Sequence, residues 1–255
     1  IVAAGKDCGT IFQCAAIPYH LTASQQLPLG KSVMQAAQIL KSRVVFIDGI
    51  YAYGAALGRP VRETDALKPV SKKGAIKRDL AELIFSQQYR DVAVALMRLP
   101  DYYGPTARKS SYLGMTLIGI AKHQPTIFIG QQSVEREFVY LPDAAKMIVQ
   151  LADKVSAYHQ AWNIPGQKIT GRELVRLAKQ TAGSRAPVMS LTKPLLWLCG
   201  WFDADIREIV EMYYLTKWPV FLDGEKFRET IGPVVATPFS VGIAQTIEAL
   251  RNSRY

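Results

Sequence analysis

Cysteine, histidine and long apolar runs are what this 255-residue chain has least of, with three cysteines and three histidines in all. Cys8, Cys14 and Cys199 are odd in number and sit among apolar neighbours. That excludes a disulfide framework and predicts buried, reduced thiols in a cytoplasmic protein. His20, His123 and His159 share no ligand spacing with them, so no metal site is expected. The most aromatic apolar run, Trp197 to Phe202, falls well short of the roughly 20 residues that cross a bilayer. Asp203 and Asp205 follow it directly, and no membrane partner is expected. Internal repeats and low-complexity tracts are absent as well.

What is present is a globular composition, 49% hydrophobic, with enough length for one sizeable core or a core plus a small lobe. The net charge is +10, yet the basic residues are scattered except at Lys72, Lys73, Lys77 and Arg78. A scattered excess reads as a solvated basic face. Without aromatic and basic interleaving, no nucleic-acid partner is expected. The first residue is Ile1, not methionine, and the expectation is that translation starts upstream of it.

From Thr10 to Met97 strands and helices alternate. Thr10 to Ala15, Arg43 to Asp48 and Val92 to Met97 are short apolar strands, and Leu29 to Lys41 places Val33, Ala36, Ala37 and Leu40 on one helical face. A second helix carries Ile76, Leu80, Leu83 and Ile84. Continuous apolar strands joined by helices predict a buried parallel sheet, doubly wound, with right-handed crossovers.

The second half differs in texture. A helix from Met115 to Lys122, strands at Thr126 to Gly130, Glu137 to Tyr140 and Ala161 to Pro165, and a helix entered through Pro142 are expected. Thr170 and Glu173 form a capping-box pattern for a helix from Gly171 to Thr181. Beyond Ala186 short aromatic segments punctuated by proline suggest a small lobe, with Trp197, Trp201, Phe202, Tyr213 and Tyr214 in its core. The division expected is 1–130 for the main domain and 131–255 for the lobe, some of whose segments return to the main sheet.

AAIPY at Ala15 to Tyr19, IDGIYAYG at Ile47 to Gly54, RLPDYYGP at Arg98 to Pro105, FVYLPDAA at Phe138 to Ala145 and WNIPGQKITGRELVRLA at Trp162 to Ala178 follow in a telling order. In that order they resemble the signatures of the extended short-chain dehydrogenase/reductases, the NAD-dependent epimerase/dehydratase family. The resemblance covers nearly the whole chain. It implies a Rossmann-like fold with a smaller C-terminal substrate lobe, NAD or NADP as cofactor, hydride transfer at a carbinol carbon, a nucleotide sugar as default substrate and a possible homodimer. It also implies cofactor contacts at Ala15, Ala16, Ile17, Lys77, Pro100, Asp101 and Tyr102. Substrate contacts are implied at Tyr19, Tyr103 and Arg136.

Two departures stand out. The family opens with a strand and a GxxGxxG turn that cradles pyrophosphate at a helix N-terminus, and this sequence holds no such turn. The first strand here resembles the family's fourth, so the Rossmann sheet is expected to lack its N-terminal part, to leave an open edge and to hold dinucleotide weakly. In the family, moreover, a tyrosine does acid–base work and a lysine four residues later lowers its pKa and holds the nicotinamide ribose. Here Lys77 keeps its place, Lys73 takes the tyrosine's, and Asp48 or Gly49 takes the place of the substrate-binding serine. Three accounts stay open: solvated lysines on a surface helix; Lys77 as ribose ligand with proton transfer moved to Tyr51, Tyr53, Tyr102 or Tyr103; or Lys73 itself as the acid.

Overall fold

The structure is a computed structural model and describes residues 1–107, 109–199, 201 and 210–252. Its main sheet has four parallel strands in the order β1 (Thr10–Gln13), β2 (Arg43–Gly49), β3 (Val94–Leu99) and β7 (Gln160–Asn163). Parallel strands need covered faces, and the sequence supplies an apolar set for each. Val44, Phe46, Val94 and Leu96 point toward α1 (Thr22–Leu40) and α2 (Lys72–Ile84), packing on Val33, Ala37, Leu80 and Ile84. Val45, Ala95 and Met97 point the other way, onto Ala144, Met147 and Leu151 of α4 (Leu141–Ala152).

Helix α1 starts at Thr22, earlier than the spacing predicts, and runs through Pro28. Close packing accounts for the extension past a residue that costs a backbone hydrogen bond. Gly30 lies so near α2 that a Cβ there would meet Leu80 Cδ1 at 2.4 Å, and Gln26 is buried alongside. Helix α2 begins where the Ser71 side chain accepts from the Gly74 N–H at 3.0 Å, an N-cap of the usual type. Gly74 serves a second purpose, since a Cβ at that position would stand 2.6 Å from the Tyr51 carbonyl oxygen. Its absence lets α2 press against the turn that follows β2.

Two smaller sheets complete the fold. In the first, β6 (Glu135–Tyr140) pairs in parallel with β4 (Asp101–Tyr103) and antiparallel with β8 (Gln167–Thr170); in the second, β5 (Thr126–Ile129) pairs in parallel with β9 (Val188–Leu191). Helices α3 (Gly114–Ala121), α5 (Gly171–Ala182) and α8 (Phe239–Asn252) enclose a core of Phe128, Phe138, Leu174 and Ile243. Thr170 caps α5 by accepting from the Glu173 N–H at 3.2 Å. Short helices α6 (Lys193–Cys199) and α7 (Glu225–Thr230) fill out the second half. Among the described residues no helix is long and apolar enough to cross a membrane.

Two expectations are corrected here. Cys8 and Cys14 are exposed, because the segment around them lies along the open side of β1 and not under a helix layer. Trp197 and Trp201 are also exposed, packed edge-on against each other at 5.2 Å instead of filling the lobe. Leu196 takes the inward position on α6, against Tyr213; Phe202 lies outside the described residues. Asp143, in the first turn of α4, is 1% exposed and accepts from both the backbone N–H and the Oγ1 of Thr237, at 2.6 and 2.9 Å.

Candidate active site

The carboxyl ends of β1, β2 and β3 converge on one place, where open α/β sheets form their clefts. From β1 the chain runs through Ala15 and Ala16, both exposed, and half-buried Ile17 to Tyr19. From β2 it delivers Asp48 and, through the turn Ile50–Tyr53, Tyr51. From β3 it passes buried Pro100 to Asp101 and Tyr102. Helix α2 lies across the opening and adds Lys73 and Lys77, one turn apart on the same face.

Asp48 and Lys77 form an ion pair, with Lys77 Nζ 2.7 Å from Asp48 Oδ1; the carboxylate side chain is 1% exposed and the lysine 17%. Both carboxylate oxygens are closed off from solvent and neither has hydrogen-bond geometry to a neighbour. Lys77 also donates to Gln26 Oε1 at 3.3 Å. Arg98 stands beside Asp48 in the sheet register but gives its guanidinium to Tyr53, Nη1 to Oη at 3.1 Å.

Lys73 is not the solvated lysine that a surface helix would present. It is 3% exposed, with Nζ 3.4 Å from Glu211 Oε2 and 5.5 Å from the centre of the Tyr19 ring. Glu211 accepts from the Lys72 N–H with its other oxygen, so one carboxylate serves both the helix start and the buried ammonium. The hydroxyls of Tyr19 and Tyr51 meet at 3.3 Å. The Tyr51 hydroxyl is held well above the ordinary tyrosine range, first by the neighbouring Tyr19, then by burial and by Asp101, against a smaller opposing pull from Arg136. It stays protonated at any physiological pH.

Arg136 lies in the wall of the site rather than open to it. It is 5% exposed, ion-paired with Asp101, bonded to the Leu215 carbonyl at 3.1 Å and stacked 4.1 Å over the Tyr112 ring. Tyr103 points away from the cleft altogether. Strand alternation turns it into the core, 1% exposed, against Tyr140, Phe239 and Gly242, while Tyr102 takes the opposite face.

The structure thus brings Tyr19, Asp48, Tyr51, Lys73, Lys77 and Asp101 to one end of the sheet; Ala15, Ala16, Ile17, Pro100 and Tyr102 lie on the segments that follow β1 and β3, and Tyr103 is turned into the core. Sequence reasoning missed Gln26, Tyr112 and Glu211. Glu211 had no local signal, being 138 residues from Lys73. Gln26 carried one in principle, as a polar position on the buried face of α1. Among the described residues no group of three or more His, Cys, Asp or Glu could hold a metal ion.

Comparison with known proteins agrees with this architecture. The profile of the NAD dependent epimerase/dehydratase family matches residues 6–164, more than half of the chain. No curated protein sequence matches. Among solved structures, UDP-glucuronic acid 4-epimerase from Bacillus cereus in complex with NAD superposes with a TM-score of 0.75 at 16% identity, over 97% of this chain and 76% of that one. The dTDP-glucose 4,6-dehydratase DesIV from Streptomyces venezuelae gives 0.79 at 18% identity, over 99% and 76%. UDP-N-acetylglucosamine 4-epimerase from Bacillus cereus gives 0.77 at 14%, over 100% and 81%. At such identities the likeness shows the fold.

Proposed function

The chain belongs to the NAD-dependent epimerase/dehydratase family, and from that premise we propose that it binds NAD or NADP and exchanges hydride at a carbinol or carbonyl carbon of a small molecule, with nucleotide sugars as the default substrate class. The observation that carries the reading is the hydroxyl pair of Tyr19 and Tyr51, 3.3 Å apart at the mouth of the sheet beside buried Lys73. On this reading the pair is the proton source, beside the Lys73 that stands in the usual tyrosine's position.

The residues present fit the nicotinamide end of a dinucleotide. An ammonium has three N–H donors; Lys77 gives one to Gln26 while its charge faces Asp48, which leaves donor capacity for a ribose hydroxyl. Small, exposed Ala15 and Ala16 at the end of β1 admit a close approach. The glycine-rich turn that receives the pyrophosphate end in the family is not found in this sequence. The dinucleotide supplies or takes the hydride when bound.

The rest falls to the chain's own side chains. Tyr51, held neutral, gives its proton to the oxygen of a carbonyl as that oxygen gains negative charge, and Tyr19 replaces it through their shared hydrogen bond. Lys73, fixed by Glu211, lends positive charge near the Tyr19 ring and stabilises the charge that passes through the pair. Because the Tyr51 phenol is held protonated, the site favours carbonyl reduction over alcohol oxidation.

The test is turnover of the full chain with NADH and NADPH against a panel of nucleotide-linked and free keto sugars, with Tyr51→Phe alongside. Reduction lost in Tyr51→Phe with dinucleotide affinity kept supports the assignment. Equal rates in the two proteins remove Tyr51 from it. One observation favours a second reading: each lysine is already neutralised by a carboxylate, Lys77 by Asp48 and Lys73 by Glu211. On that reading the chain is a dinucleotide-binding sensor or scaffold, and it binds cofactor without any turnover.

A further inference from the structure

The ion pair between Asp48 and Lys77 has an electrostatic consequence for which form of a dinucleotide the site accepts. Oxidised nicotinamide carries a positive ring; reduced nicotinamide is neutral. A lone Lys77 ammonium beside the ribose would repel the first and leave the second unaffected. Here the ammonium is not alone, because Asp48 stands 2.7 Å away with a side chain 1% exposed. Screening by water is weak at that depth, so the carboxylate cancels most of the lysine's field.

Asp48 does not touch a ligand itself. Both its oxygens are sealed from solvent. Nor is another cation its partner: among the described residues Lys77 makes its ion pair, while Arg98 is committed to Tyr53. Gln26 fixes the second N–H of Lys77 and holds the ammonium at the carboxylate. We propose that Asp48 is a charge-balancing residue that sets the redox-state preference of the site, allowing oxidised dinucleotide to bind at least as well as reduced beside Lys77. The inference rests on the dinucleotide-binding reading above.

Isothermal titration of the full chain with NAD+, NADH, NADP+ and NADPH measures it, through the ratio of affinities for oxidised and reduced forms. Wild type should take the oxidised form at least as tightly as the reduced one. Asp48→Asn leaves Lys77 charged and unbalanced, and should move the ratio toward the reduced form by roughly tenfold. The double variant Asp48→Asn with Lys77→Gln is neutral again, leaves no uncompensated buried charge, and should return the ratio to within about twofold of wild type. It keeps the test open if Asp48→Asn alone fails to fold, since a double variant shifted tenfold toward the reduced form overturns the proposal. So does an unchanged ratio in folded Asp48→Asn. If wild type binds neither form at millimolar concentrations, the dinucleotide-binding reading itself falls and this inference with it.

Discussion

Buried Lys73 and half-buried Lys77 occupy neighbouring turns of α2 yet are neutralised in opposite ways. Lys77 pairs with Asp48, the residue at the end of the strand directly beneath the helix, and the carboxylate is almost wholly enclosed. Lys73 pairs with Glu211, which comes from the distant second half of the chain and is 24% exposed. The floor of the site is therefore built by the sheet and its own crossover helix. The roof is built only when the second half folds over it. A charge held by the sheet is a fixed part of the site, whereas a charge held from the second half ties that half to the helix N-terminus.

The largest effect should come from breaking the floor. Asp48→Ala leaves the half-buried Lys77 ammonium without its enclosed counter-charge, and a loss of about 3 kcal/mol or more is expected in denaturant unfolding. A loss under about 1 kcal/mol would mean that water reaches the pair and that it is no different from a surface ion pair.

Next comes a carboxylate without any such cation. Glu137 accepts from the backbone N–H groups of Gly166 and Leu222 at 3.0 and 2.8 Å, joining three segments of the second half. Burial pushes its carboxyl from 4.5 to about 7, outweighing the two backbone donors and Lys168. The folded state thus holds a proton that the unfolded chain releases at lower pH. Stability from this group is fully present below pH 4.5 and is lost as pH rises to about 7, amounting to about 3 kcal/mol over that window. Unfolding measured across the window should show that fall in wild type, and Glu137→Gln should flatten it.

The roof should be cheaper to break than the floor. Glu211→Ala strips the partner from Lys73 and the acceptor from the Lys72 N–H. The pair is longer than that of the floor, 3.4 against 2.7 Å, and its carboxylate already meets solvent, so the expected cost is about 2 kcal/mol in the same unfolding measurement. If it equals or exceeds the cost of Asp48→Ala, the distinction between floor and roof fails. The smallest change touches neither lysine's partner. Ser71→Ala removes the cap on α2 and should cost about 1 kcal/mol while leaving both ion pairs in place.

The same contrast governs what the sequence made legible. The parallel sheet and its crossover helices were readable because β2 and β3 are continuous apolar runs and α2 repeats Ile76, Leu80 and Ile84 at helical spacing. The residues of the floor were readable too, since Asp48 lies near the end of a strand and Lys77 on the helix that follows. Glu211 was not, because no periodicity links a carboxylate to a lysine across the chain. Tyr103 was misplaced because a three-residue strand gives too short an alternation to say which of two adjacent tyrosines faces inward. Trp197 and Trp201 were misread by composition, which prices aromatic residues as core whichever way a short helix turns them.

The account stands or falls on where a dinucleotide sits. A crystal structure of the full chain grown with NAD+ measures that most directly. The prediction is a nicotinamide ribose hydroxyl within hydrogen-bond distance of Lys77 Nζ, with the pair to Asp48 intact and the hydroxyls of Tyr19 and Tyr51 still joined. A dinucleotide bound elsewhere, or a Lys77 drawn away from Asp48 to reach it, would contradict the account.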